Sequence, residues 1–405
     1  MRACLRALGG LLALALAATE SLASPQQVQQ SLDRPKKAPD TQVSVPFFAE
    51  LERLARAVDI SYCVGNSGVG KPFNCVSRCK EFPTLELVNT WNTGILLSDS
   101  CGYVAVDHGE RQGHNRVRNP DDYENAGTKA ILVAFRGTYS ITNTVVDLST
   151  VHQKYTPYPS PDHGGDEPPT EPDHACYNCT VHQGFLQSWL TARKLVLPEL
   201  ISLREEYPDY PIHLVGHSLG GAVACLAALE LKVALGWDNL VVTTYGEPRV
   251  GNYHLARFID QVFGLDGHEN LEHRSYRRVT HNNDPVPLLP PEEWGYAPHS
   301  GEIYITKESL SPSESDVRVC VGDTDPECSN GPDSSAARMT DGLDEVDEED
   351  MAVEPLDASA FPTRYKLWQI FFAHRDYFWR LGLCVPGGDP WNWGRHPYDS
   401  IGEEL

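Results

Sequence analysis

A serine held between glycines is the residue around which chemistry can be built in this chain. Gly216-His217-Ser218-Leu219-Gly220-Gly221 follows an apolar, β-prone run at 212–215 and leads at once into an alanine-rich segment. Ser218 therefore falls where a strand must turn sharply into a helix. Such a turn lifts the hydroxyl clear of the sheet and aims the first helical N–H groups toward it, the context of a nucleophile elbow. Five-residue patterns of this kind recur by chance, so the flanking strand and helix carry the reading. The chemistry would be acyl transfer. A serine hydroxyl is a poor nucleophile at neutral pH and needs a base to take its proton and an acid to orient that base.

With an elbow of this kind on an α/β sheet, the chain order is serine, acid, histidine. The best-placed acid is Asp284, in Val279-Thr280-His281-Asn282-Asn283-Asp284-Pro285-Val286-Pro287, where two prolines end a strand and stiffen the loop. Three histidines follow it: His299, His374 and His396. His374 comes after Leu367, Ile370, Phe371 and Phe372, an apolar segment able to anchor a loop beside the sheet, and is favoured as base. His299, in an expected hairpin, stays open. A tetrahedral intermediate also needs preorganised N–H donors. The backbone N–H of Leu219 is one, and Phe135-Arg136-Gly137-Thr138, after an early strand, offers the other through Thr138.

The elements that must hold these groups alternate along the chain. Phe47, Leu51, Leu54, Ala55 and Val58 recur at helical spacing. Strands are expected at 102–106, 130–135, 240–245 and 274–280, and helices at 183–206, 219–235 and 252–263. The alternation predicts an α/β fold with a mostly parallel central sheet and helices on both faces. Two stretches interrupt it. Residues 152–180 are rich in Pro, Asp and His and read as a surface insertion. Residues 309–360, rich in Ser, Asp and Glu, read as an acidic, disordered one, with seven acids in the ten residues 341–350.

At 405 residues and 41% hydrophobic content the chain can bury a large core, and its net charge of -23 argues against nucleic acid as a partner. Arg2 and Arg6, an apolar run at 8–18 and Ser21-Leu22-Ala23 read as a signal peptide over 1–23. No later segment is long enough to span a bilayer. Eleven cysteines agree with export, and ten remain if Cys4 leaves with the signal. Residues 24–45 form an expected leader with a dibasic pair, Lys36-Lys37; a single catalytic domain spans 46–385 and a tail 386–405. Gly65 to Lys71 nearly spells a phosphate-binding loop, but Pro72 stands where a metal-binding hydroxyl is needed and no strand leads in, so no nucleotide is expected. Cys176-Tyr177-Asn178-Cys179, with His174 and His182, lacks four sound zinc ligands and reads as a disulfide or structural pair. No metal and no cofactor are expected. Asn178-Cys179-Thr180 is a glycosylation sequon that a bridged Cys179 would hinder.

Together these residues resemble the secreted filamentous-fungal lipases of class 3, a family that also contains feruloyl esterases. The resemblance is carried by Thr90-Trp91-Asn92-Thr93-Gly94, Phe135-Arg136-Gly137-Thr138, Val181-His182-Gln183-Gly184-Phe185 with Ser188-Trp189, Gly216 to Gly221, Thr244-Tyr245-Gly246-Glu247-Pro248-Arg249-Val250-Gly251-Asn252, Asn283-Asp284-Pro285-Val286-Pro287, and His374 with Tyr377-Phe378. It covers most of 46–308 and 361–385. It implies an α/β-hydrolase fold, Ser218 as nucleophile, Asp284 as orienting acid, His374 as base, and Thr138 with Leu219 as oxyanion hole. It also implies that Cys63 pairs with Cys384 and Cys75 with Cys79; Cys320 and Cys328 would then close a small loop inside the acidic insertion. A lid would follow the oxyanion loop at 139–148, with Ile141, Val145 and Leu148 on one apolar helical face. Thr144 stands where many of these lipases carry tryptophan, which weakens the case for strong interfacial activation. The lid is still more apolar than the flap of feruloyl esterases. The resemblance thus implies a secreted serine esterase acting on lipid esters such as acylglycerols, then a feruloyl esterase on cell-wall phenolic esters; an inactive lipid- or wall-binding module is the alternative of a different class.

Overall fold

The computed structural model describes residues 41–94, 96, 98–109, 129–138, 152–156, 176–265, 267, 271–331 and 372–386. The expected signal peptide, residues 24–40 of the expected leader, the lid residues Ile141, Val145 and Leu148, residues 387–405 of the tail and His396 lie outside them. The end of the leader needs correction, because the Thr41 carbonyl accepts from the Val319 N–H, Val43 is buried and Val45 opens the first helix. Among the described residues there are ten strands: β1 (Leu85–Asn92), β2 (Cys101–Asp107), β3 (Ala130–Phe135), β4 (His152–Lys154), β5 (Thr180–His182), β6 (Ile212–His217), β7 (Leu240–Tyr245), β8 (Tyr276–His281), β9 (Glu302–Ile305) and β10 (Val317–Val319). The α-helices of the described residues are α1 (Val45–Ser61), α2 (Gln183–Glu206), α3 (Leu219–Val233) and α4 (Tyr253–Phe263).

Eight strands form one sheet in the order β1-β2-β3-β6-β7-β8-β9-β10. The strands from β3 to β9 in that order run parallel, and β1, β2 and β10 are antiparallel at the two edges. The parallel centre follows from composition. Every residue of β3 is buried, as is most of β6, and such runs of apolar residues suit a sheet covered on both faces. Alternate side chains then serve different cores. Ile131, Val133 and Phe135 pack with Trp189 of α2 and Leu226 of α3, whereas Leu132 and Ala134 pack with Leu51, Leu54 and Val58 of α1. Helices α2 and α3 are joined by a buried polar clasp, in which Trp189 Nε1 (2.7 Å) and Arg193 Nε (2.5 Å) donate to the carboxylate of Glu230.

Two expectations about insertions need correction. The ends of 152–180 are woven into the body, because β4 pairs with β5 and both Tyr155 and Cys179 are buried apolar anchors. Likewise 309–331 is not a disordered acidic loop. Val317 and Val319 face inward on β10, which pairs antiparallel with β9, and Cys320 is bridged to Cys328. The acid-rich average of the stretch conceals these few apolar anchors. Residues 332–360 lie outside those described.

Candidate active site

The register of the parallel strands sets the C-terminal ends of four of them side by side, with Phe135 beside Gly216 and His217 beside Tyr245. Ser218 leaves β6 at φ 58°, ψ −133° and caps α3. That positive φ is costly for a residue with a Cβ, on the order of 1–3 kcal/mol, and it persists because both neighbours are over-determined. A Cβ on Gly216 would lie 2.2 Å from the Gly220 carbonyl oxygen, and one on Gly220 would lie 2.3 Å from that of Phe135. Only glycine lets strand, turn and helix approach so closely. Leu219 opens α3, where the first N–H groups have no intrahelical acceptor.

Asp284 follows β8 in the turn before a 3-10 helix, Val286–Leu288. His374 belongs to the segment 372–386. The structure brings the two together: His374 Nδ1 lies 3.0 Å and 2.9 Å from the two Asp284 oxygens, and both residues are fully buried. The carboxylate is held from two further sides, by the Val286 N–H at 2.9 Å and the Tyr377 hydroxyl at 2.5 Å. No hydrogen bond joins Ser218 to His374. Ser218 Oγ and His374 Nε2 are each buried without a hydrogen-bond partner, and reactive atoms of an unliganded site are commonly left so. Gly137 packs on Ser218, since a Cβ there would stand 2.9 Å from that of the serine. This places Thr138, half-buried, beside the serine turn.

Several residues around the site were not legible from the sequence. Gly246, at φ 58°, leaves room for the Asp284–His374 pair: a Cβ there would come within 2.8 Å of His374 Cε1 and 2.9 Å of Asp284 Oδ2. Tyr377 entered only as part of a resemblance, yet it donates to the acid. His299 pairs with a different carboxylate from His374. It is buried with Nε2 3.1 Å from Glu247 Oε1, and Thr244 (2.6 Å) and Tyr276 (2.9 Å) donate to the same carboxylate. Cys225 lies close to this pair, and Cys225, Glu247 and His299 have ligand atoms within 4.8 Å of one another. Because the carboxylate is already saturated by protein donors, the group reads as a hydrogen-bonded core rather than a metal centre.

Disulfides join Cys63 to Cys384, Cys75 to Cys79, Cys176 to Cys179 and Cys320 to Cys328. Cys101 and Cys225 are free and buried. Asn178 is exposed at φ 57°, at the tip of the Cys176–Cys179 turn. No described helix is long and apolar enough to cross a membrane.

A strand-turn-helix serine on a mostly parallel sheet, with an acid after a later strand and a histidine beyond it, defines the α/β-hydrolase fold. Residues 132–294 match the family model of lipase (class 3). The chain is 61% identical over 392 residues to the secreted mono- and diacylglycerol lipase 2 of Gibberella zeae, covering 96% of this chain and 94% of that one. It is 58% identical over 385 residues to lipase A of Sodiomyces alcalophilus, covering 93% and 91%. Among solved structures, the Lip2 lipase of Yarrowia lipolytica superposes with a TM-score of 0.63 at 29% identity, over 85% of this chain and 97% of that one. The chain belongs to the class 3 lipase family and is a carboxylic ester hydrolase.

Proposed function

We propose that the protein is a secreted lipase that hydrolyses acylglycerol esters through an acyl-enzyme formed on Ser218. The observation that carries the reading is the buried Asp284–His374 pair beside the strained serine turn. In this mechanism Ser218 Oγ attacks the ester carbonyl carbon while His374 Nε2 takes its proton. Asp284 holds Nδ1–H and so fixes the tautomer that presents the Nε2 lone pair. The N–H groups of Thr138 and Leu219 receive the negative charge on the former carbonyl oxygen. Each such donor contributes about 3 kcal/mol to lowering the barrier. Collapse expels the glycerol alcohol, protonated by His374, and water repeats the sequence on the acyl-serine. The names of the relatives support mono- and diacylglycerols as the substrate class.

Ser218→Ala is expected to reduce hydrolysis of monoacylglycerol and of a short p-nitrophenyl ester by about 10⁴-fold or more. Retained turnover would remove Ser218 from the mechanism. Activity on methyl ferulate without activity on acylglycerols would move the substrate to phenolic esters. Failure of a fluorophosphonate to label Ser218 would mark the protein as a non-catalytic binding module.

A further inference from the structure

Beneath the nucleophile runs a chain of buried hydrogen bonds that the acyl-transfer steps do not themselves require. Tyr62, the residue that caps the C-terminus of α1, is fully buried, and its hydroxyl lies 2.5 Å from His217 Nδ1. His217 Nε2 lies 2.7 Å from the backbone carbonyl oxygen of His374. A carbonyl only accepts, so Nε2 carries the proton, Nδ1 carries the lone pair, and the tyrosine hydroxyl donates to it. The hydroxyl also lies against Gly137, where a Cβ would come within 2.5 Å of it. One tautomer therefore satisfies both bonds, Tyr62 to His217 and His217 to His374. Burial supports it, pushing His217 well below the ordinary histidine range and so keeping the ring neutral.

Both ends of this chain fall one step from a group the mechanism uses. At one end Gly137 immediately precedes Thr138, whose N–H belongs to the next peptide unit. A Cβ on Gly137 would meet the Tyr62 hydroxyl at 2.5 Å and the His217 carbonyl oxygen at 2.7 Å, so the loop is seated directly on this pair. At the other end the acceptor is the main chain of His374 itself. The residue between the two ends, His217, is the immediate neighbour of Ser218.

We infer that Tyr62 and His217 are positioning residues that lock the oxyanion loop and the backbone of the catalytic histidine into one register across Ser218. The inference rests on the roles proposed above for Ser218, Thr138 and His374. It distinguishes Tyr62 and His217 from ordinary packing residues, because their hydrogen bonds set the transition-state geometry and leave substrate affinity alone.

Tyr62→Phe keeps the ring and removes the donor. Its kcat on p-nitrophenyl butyrate is expected to fall about tenfold, the order of one lost hydrogen bond, with KM within twofold of the parent. Thr138→Val keeps the backbone N–H but removes the hydroxyl that would reinforce its geometry; combined with Tyr62→Phe, the loss should be smaller than the product of the two single losses, since both act on the setting of that N–H. The inactivation rate constant for a fluorophosphonate, which does not depend on the yield of folded enzyme, should fall in parallel with kcat. Should Tyr62→Phe fold poorly, His217→Gln can offer an amide N–H to the His374 carbonyl but has no ring nitrogen at the Nδ1 position to accept from Tyr62, and is expected to show the same split. A kcat within twofold of the parent, a change confined to KM, or losses that multiply with Thr138→Val would each overturn the inference. Activity surviving in Ser218→Ala would instead overturn the reading of the site on which it rests.

Discussion

The site draws on two regions built by different means. Ser218 and Asp284 stand at the ends of β6 and β8, where the ladder of the parallel sheet sets the backbone. His374 stands on the segment 372–386, which is helical at Phe372 and Ala373 and continues through turns, bends and one isolated bridge, Asp376 with Arg380. That segment is held by tethers instead. Cys384 is bridged to Cys63, the Gly382 N–H donates to Asp59 at 2.7 Å, and Arg375 reaches the Gly382 carbonyl at 2.7 Å. Phe378 packs edge-on against Phe48 of α1, and the Arg78 guanidinium lies 4.5 Å over the Trp379 ring. Where a sheet places a residue, a few glycines that permit close approach are enough. Where no sheet is available, the same accuracy comes from separate attachments to α1 and to the loop that follows it.

The largest effect should come from cutting the strongest tether. Replacing both Cys63 and Cys384 by serine is expected to lower stability by about 2–5 kcal/mol. It should also separate two melting curves, with ester hydrolysis lost at a lower temperature than the far-ultraviolet dichroism of the sheet and helices. Coincident transitions would mean that the segment does not depend on its tethers. On the sheet side, Gly246→Ala should lower kcat by about a hundredfold, because a Cβ at that positive φ displaces His374 or Asp284 by a fraction of an ångström. Activity near that of the parent would show that the acid and base tolerate more movement than their packing implies.

The smallest effect is one of pH on the sheet itself. His217 at the end of β6 and His281 at the end of β8 are both held below the ordinary histidine value, chiefly by burial. The unfolded chain then binds protons at a higher pH than the folded one. Stability contributed by these residues is present above the unfolded histidine value and declines as pH falls below it, by up to about 1.4 kcal/mol per pH unit for each. Urea midpoints measured from neutral to mildly acidic pH should fall accordingly, and a flat series would contradict the neutral state of His217.

The same contrast explains which parts were legible in the sequence. Ser218, Asp284 and the strands that carry them announce themselves locally, through an apolar run that ends in a glycine or proline turn. His374 was distinguishable from His299 and His396 only by weak flanking signals until the resemblance was taken into account. Long-range tethers leave no local pattern, and for this reason neither Gly246 nor the Tyr62–His217 contact could be read from residue order. Strand β1 escaped because its register shifts between Leu87 and Asn89, which breaks the alternation that marks a half-buried strand. The short β4, β5, β9 and β10 carry too few residues for periodicity to register, and β10 was further masked by its acidic surroundings.

The bridge between Cys63 and Cys384 spans 321 residues, and the histidine follows its acid by 90. On the roles proposed above, a nascent chain that has emerged only as far as Asp284 carries the serine, its acid and the oxyanion loop without the base. The site is thus completed only by the stretch that the last-made cysteine of this bridge fastens beside the end of the first helix.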